Sequence, residues 1–214
     1  MVWMVPFPAG PYGDYEGPHE GRPGCGWWYR LEQHFANDMR EEERAPYRDR
    51  SYWYCVHEKF QSHSEGLVPN GSGQHLPPIQ PHEPPTFFKY DSGHKSPACI
   101  ISFPGMVLGC SHSFMELVEQ LEPSRHRFFP IDVRNRRGPV YQEPHYVMVI
   151  GQRLNAPSFS LRTLGLQPVD ESRAWHLWMD LSITQNPVFL SDQIVAEVKA
   201  RGMKMPRLST KMAA

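Results

Sequence analysis

The chain has 214 residues, 22 Lys plus Arg against 23 Asp plus Glu, and a formal net charge of -1, so no overall field draws it to nucleic acid or acidic lipid. Its 24.8 kDa scales to roughly 10,000 Å² of folded surface against roughly 36,000 Å² unfolded, enough to bury about 70% of the surface without disulfide staples. No apolar run approaches the ~18 residues of a membrane span, and the start, Met1-Val-Trp-Met-Val-Pro-Phe-Pro, lacks the basic region of a signal peptide, which leads to the expectation of a cytoplasmic protein.

Thirteen of the 22 prolines and 10 of the 16 glycines precede Ala98. Residues 1–97 therefore read as a loop-rich region packed on a core formed by residues 98–210. Within it Trp27-Trp28-Tyr29-Arg30-Leu31 and Tyr52-Trp53-Tyr54-Cys55-Val56 are short aromatic runs of the kind favoured in strands. Glu32 to Glu43 between them suits a short polar helix. Pro69 to Pro97 is too rich in proline for a helix and reads as a flexible connector or an ordered wrap. So many aromatics argue for partial order, since disordered segments carry few.

After Ala98 the periodicities sharpen. Cys99-Ile-Ile-Ser-Phe and Met106-Val-Leu read as extended segments, and Ser113-x-x-Glu116 is a capping-box pattern with Ser113 as N-cap. Phe114, Leu117, Val118 and Leu121 share one helical face, and Pro123 ends the run. Phe129, Ile131 and Val133 alternate, Asn135-Arg-Arg-Gly138 supplies a turn, and Tyr146 to Ile150 returns as an apolar strand, which predicts a hairpin. Trp175, Leu177 and Met179 alternate with His176, Trp178 and Asp180, which reads as another half-buried strand. Val188-Phe-Leu runs into Ser191-Asp192, residues that cap a helix carrying Ile194, Val195 and Val198 and stopped by Gly202. Met203 to Leu208 is read as a final strand. The expected fold is a single α+β domain with a mixed or antiparallel sheet and two amphipathic helices.

Catalytic motifs fail when checked residue by residue. Gly109-Cys110-Ser111-His112-Ser113 approaches a nucleophile elbow but lacks the last glycine; a serine hydrolase built on it would need His176 with Asp170 or Asp132. Helix capping accounts for the same serines. Gly24-Cys25-Gly26 opens a phosphate-loop pattern that Tyr29 interrupts. Cys25, Cys55, Cys99 and Cys110 stand apart without a C-x-x-C pair, and 7 of the 11 histidines are scattered before Ala98, without zinc spacing. No catalytic residue, cofactor or metal is therefore assigned. Arg134, Arg136 and Arg137 beside the turn are candidates for gripping an acidic partner, and Trp27 and Trp28 are candidate interface anchors, with core packing as the rival role.

The segment from Phe114 through Leu121-Glu-Pro-Ser-Arg-His-Arg-Phe-Phe-Pro130, the Arg134-Asn-Arg-Arg-Gly138 turn and Tyr146 to Ile150 resembles immunity-protein family eleven of bacterial polymorphic toxin systems. So does His176 to Asp180 with Val188-Phe-Leu-Ser-Asp192 and Lys199-Ala-Arg-Gly202. The resemblance spans about Gly109 to Gly202. It implies an α+β protein that binds and neutralises a cognate toxin by occluding its active site, with no reaction centre of its own, no nucleic acid and no membrane. The alternatives are the Ser111 hydrolase and a general protein-interaction module.

Overall fold

The alternation at Phe129, Ile131 and Val133 becomes the longest strand of the computed structural model, which describes residues 2–5, 13–15, 26–48, 50–62, 76–90, 97–135, 140–154, 175–180 and 187–208. In chain order the elements are β1 (Val2–Val5), β2 (Gly13–Tyr15), α1 (Gly26–Asn37), α2 (Glu41–Arg44), α3 (Tyr52–Ser62), β3 (Phe87–Tyr90), β4 (Ile100–Phe103), β5 (Val107–Ser111), α4 (His112–Leu121), β6 (Arg127–Asn135), β7 (His145–Val149), β8 (Arg153–Leu154), β9 (Leu177–Asp180), β10 (Val188–Ser191) and α5 (Asp192–Ala200). They form one α+β domain.

Six strands make the main sheet in the order β2-β3-β6-β7-β5-β4, and four make a second in the order β1-β10-β9-β8. Both sheets are mixed: β3 runs parallel to β6 and β8 parallel to β9, while every other pairing is antiparallel. Period-two alternation sends the side chains of the main sheet into two cores. Phe129, Ile131, Val133, Val147 and Val149 join Trp27, Leu31, Tyr52, Val56 and Phe60 of α1 and α3 on one side. Phe128, Tyr146, Met148 and Ile150 join Phe114, Leu117 and Val118 of α4, with α5 and the second sheet, on the other.

Several expectations are corrected. The aromatic runs at 27–31 and 52–56 are helices, because the buried positions Trp27 and Leu31, and Tyr52, Cys55, Val56 and Phe60, recur at helical spacing and fill one face. The polar helix expected from Glu32 to Glu43 is split: α1 ends at Asn37, and α2 starts at Glu41. The N-cap of α4 is Ser111, whose Oγ accepts the Phe114 N–H at 3.4 Å; Ser113 lies inside the helix, and its N–H and hydroxyl donate to Glu143 Oε1. Met203 to Leu208 forms no strand and is tied instead by single bonds, Met203 N–H to Val198 O and Cys99 N–H to Lys204 O. On β9 both Leu177 and Trp178 are buried, since the strand is covered on both faces.

Other readings hold. Ser191 caps α5 by accepting the Ile194 N–H at 3.3 Å, and Gly202 ends it at φ 65°, the left-handed conformation glycine takes without strain. Strands β6 and β7 pair antiparallel from Arg127↔Val149 to Ile131↔His145. Residues 76–90 are an ordered wrap, with Leu76, Ile79, Glu83 and Phe88 buried; residues 69–75 and 91–96 lie outside the described residues.

Candidate binding surface

Helix α1 presents its aromatics to two different environments. Trp27 is buried among Tyr15, His57 and Phe60, and its indole N–H donates to Glu83 O at 2.8 Å. The next two residues point outward: Trp28 is 38% and Tyr29 37% exposed. Tyr54 on α3 is 46% exposed, with the Arg50 guanidinium 5.5 Å from its ring centre and Arg50 paired to Glu58 at 3.2 Å.

Beneath these side chains lies a fixed polar network. Lys59 Nζ donates to Glu83 Oε1 at 2.5 Å and to Tyr47 OH at 3.0 Å. The Tyr52 hydroxyl donates to Glu83 Oε1 at 3.1 Å, and Gln80 N–H to Glu83 Oε2 at 2.8 Å. Arg30 reaches from α1 to the carbonyls of His82 and Pro84. Glu32 accepts both the Ser51 hydroxyl and the Trp53 N–H, so a side chain of α1 caps the start of α3. Most of these bonds join α1, α3 and the 76–90 wrap, with Tyr47 tying in the turn before α3, and together they hold the helix that carries Trp28 and Tyr29 in place. Burial pushes the Tyr47 and Tyr52 hydroxyls far above their usual range, and burial pulls the Lys59 ammonium below its own, against the opposing pull of Glu83.

The other sequence candidates separate. Arg134 is half-buried, its guanidinium 4.5 Å from the Phe87 ring centre and 3.2 Å from Asp132 Oδ2, so its charge is already partnered within the fold. Arg136 and Arg137 lie outside the described residues, as do Cys25 and Asp170. His176 is not brought to Ser111: its Nδ1 lies 2.9 Å from Ser191 Oγ, and its backbone N–H donates to Glu122 at 2.6 Å. Glu122, missed in the sequence, also takes His126 Nε2 at 2.9 Å and the Leu177 N–H at 3.1 Å. Burial alone would raise its pKa, and these bonds hold it below the usual carboxylate value. Cys99 and Cys110 are inert by burial, the first thiol pushed up to about 12.

Among the described residues no three His, Cys, Asp or Glu side chains are grouped to hold a metal ion, and no helix is long and apolar enough to cross a membrane. No protein-family model matches the chain, and no curated protein matches it.

Proposed function

We propose that the protein is an immunity protein that binds a bacterial toxin and neutralises it by covering the toxin's active site. The observation that carries this reading is the pair Trp28 and Tyr29, exposed side by side on a helix whose opposite face is pinned by the Lys59–Glu83 network. Tight interfaces draw most of their energy from a few Trp, Tyr and Arg anchors. Anchors held in place before binding lose less entropy when they dock. Aromatic residues such as these are enriched at protein interfaces relative to the rest of the surface. The resemblance of residues 109–202 to an immunity-protein family supplies the class of partner.

The test is co-expression with the product of the adjacent gene, scoring survival and co-purification together. Rescue with a stable complex is the expected result. Rescue without a complex would replace occlusion by enzymatic reversal of the damage, and an inert neighbour with no complex would overturn the toxin reading.

A further inference from the structure

Strands β6 and β7 part beyond the Ile131↔His145 pair and meet again at an isolated bridge, Arg134↔Val140. Three residue steps on the first strand face five on the second, and Tyr141 still donates its N–H to Val133 O at 2.9 Å, so Gln142 to Pro144 arch away from the ladder, as a bulge does. The fork borders an open cavity of about 160 Å³ lined by Thr86, Asp132, Val140, Glu143, His145 and Tyr146, with Ile131 and Pro144 adding apolar wall. At roughly 30 Å³ per water this holds a side-chain-sized group and falls short of the ~300 Å³ of a nucleotide-sized site.

Among the described lining residues Asp132 and Glu143 are carboxylates, Thr86, His145 and Tyr146 add a hydroxyl, an imidazole and a phenol, and none is lysine or arginine. Asp132 spends one oxygen on Arg134. Glu143 takes the Ser113 N–H and hydroxyl on Oε1 and also bonds the Ser111 hydroxyl; each carboxylate has about four acceptor positions, so both retain capacity. His145 is only 3% exposed. One ring nitrogen donates to the Glu143 carbonyl, and its Nε2 has no hydrogen-bond partner among the described residues. A ring whose Nδ1 carries the proton offers Nε2 as a bare acceptor, and buried acceptors are rarely left unmet. Burial also lowers the ring's pKa, against the opposing pull of Glu143.

We propose that this fork binds one small cation of the guanidinium or primary-ammonium class, carried either by an arginine or lysine side chain of a protein partner or by a free small molecule. A planar guanidinium has five donors and no acceptor, which suits a wall of carboxylates and an unprotonated imidazole nitrogen. The apolar wall takes the alkyl stem of such a group. The site is independent of the toxin reading and stands or falls on its own ligand.

The test titrates the full chain, isotope-labelled at histidine, with methylguanidinium chloride against sodium chloride at matched ionic strength, following the His145 ring resonances. A saturable shift is expected. It weakens by about fivefold or more, as for loss of one charge-assisted contact, in Asp132→Asn, which removes an exposed charge, and in Val140→Trp, which fills the mouth. Thermal melts confirm that each variant is folded. A capped tetrapeptide with a single arginine separates the sources: binding as tight as the free cation assigns a partner's side chain, and binding of the free cation alone assigns a small molecule. No saturable shift with either probe, or shifts unchanged in both folded variants, overturns the site.

Discussion

Lys59 and Glu83 form an ion pair closed off from solvent, with Nζ 2.5 Å from Oε1 and the two side chains 2% and 0% exposed. The pair crosses from α3 to the wrap that follows it. Breaking a buried pair from one side leaves an uncompensated charge and costs about 3–5 kcal/mol. Lys59→Met and Glu83→Gln are each expected to lose stability on that scale in urea unfolding, and the double variant to lose clearly less than their sum. Additive losses would show that the two side chains act separately.

That relationship was not legible in the sequence. Lys59 and Glu83 are 24 positions apart, and each looks like ordinary surface charge until the chain is folded. The aromatic runs were misread for a related reason. β-propensity is a weak local preference, and in Tyr52-x-x-Cys55-Val56-x-x-x-Phe60 the spacing of the buried residues overrode it. The second half was clearer because its signals are local. A serine at each helix start, the glycine at 202 and the alternation on β6 act within a few residues of where they stand. The candidate surface was half legible: both tryptophans at 27 and 28 were singled out, but only the helix phase separates the one that packs from the one that projects.

The histidine at 57 sets an acid limit on stability. Its ring stacks on Trp53 with centroids 4.9 Å apart, and a Cβ on Gly105 would lie 2.3 Å from its Nε2. Burial lowers its pKa from 6.5 to about 4. The folded state therefore binds this proton less readily than the unfolded state, so the stability is complete above about pH 6.5 and is lost as pH falls through about 4. The loss approaches about 3 kcal/mol for this group. Unfolding free energies measured from about pH 7 down to about pH 4 should show that slope. His57→Gln should flatten the slope without abolishing it, because burial also lowers His82, to about 4, and His145. An unchanged slope would mean that His57 keeps an ordinary pKa in the fold.

The two helix starts at Ser111 and Ser191 make the same bond, from Oγ to the N–H three residues on, at 3.4 and 3.3 Å. Loss of an N-cap costs about 1 kcal/mol. Ser111→Ala and Ser191→Ala are expected to lose similar stability in urea unfolding, with Ser111 the larger because it is buried and also bonds Glu143. Ser113→Ala should cost less, since its bond to Glu143 is exposed. If Ser111→Ala instead left stability unchanged while removing a measured hydrolysis, the serine would be a nucleophile and the helix cap a secondary role.

Trp27 and Trp28 give the sharpest separation of packing from binding, because one chemical change at adjacent positions meets opposite surroundings. Trp27 is fully enclosed and bonds Glu83 O, so Trp27→Ala opens a cavity and orphans a carbonyl, at a cost of about 3–5 kcal/mol. Trp28 is 38% exposed, and its removal should change stability by about 0.5 kcal/mol or less. If the protein is the immunity protein proposed above, a folded Trp28→Ala, and likewise Tyr29→Ala, should protect cells less well against the toxin and release it faster, with a loss of about 2 kcal/mol in binding for a true anchor. The measurement is dissociation of the purified complex alongside a urea melt of each free variant. If Trp28→Ala and Tyr29→Ala bind the toxin as tightly as the parent, the exposed face of α1 lies outside the interface and the occluding surface must be sought elsewhere on the fold.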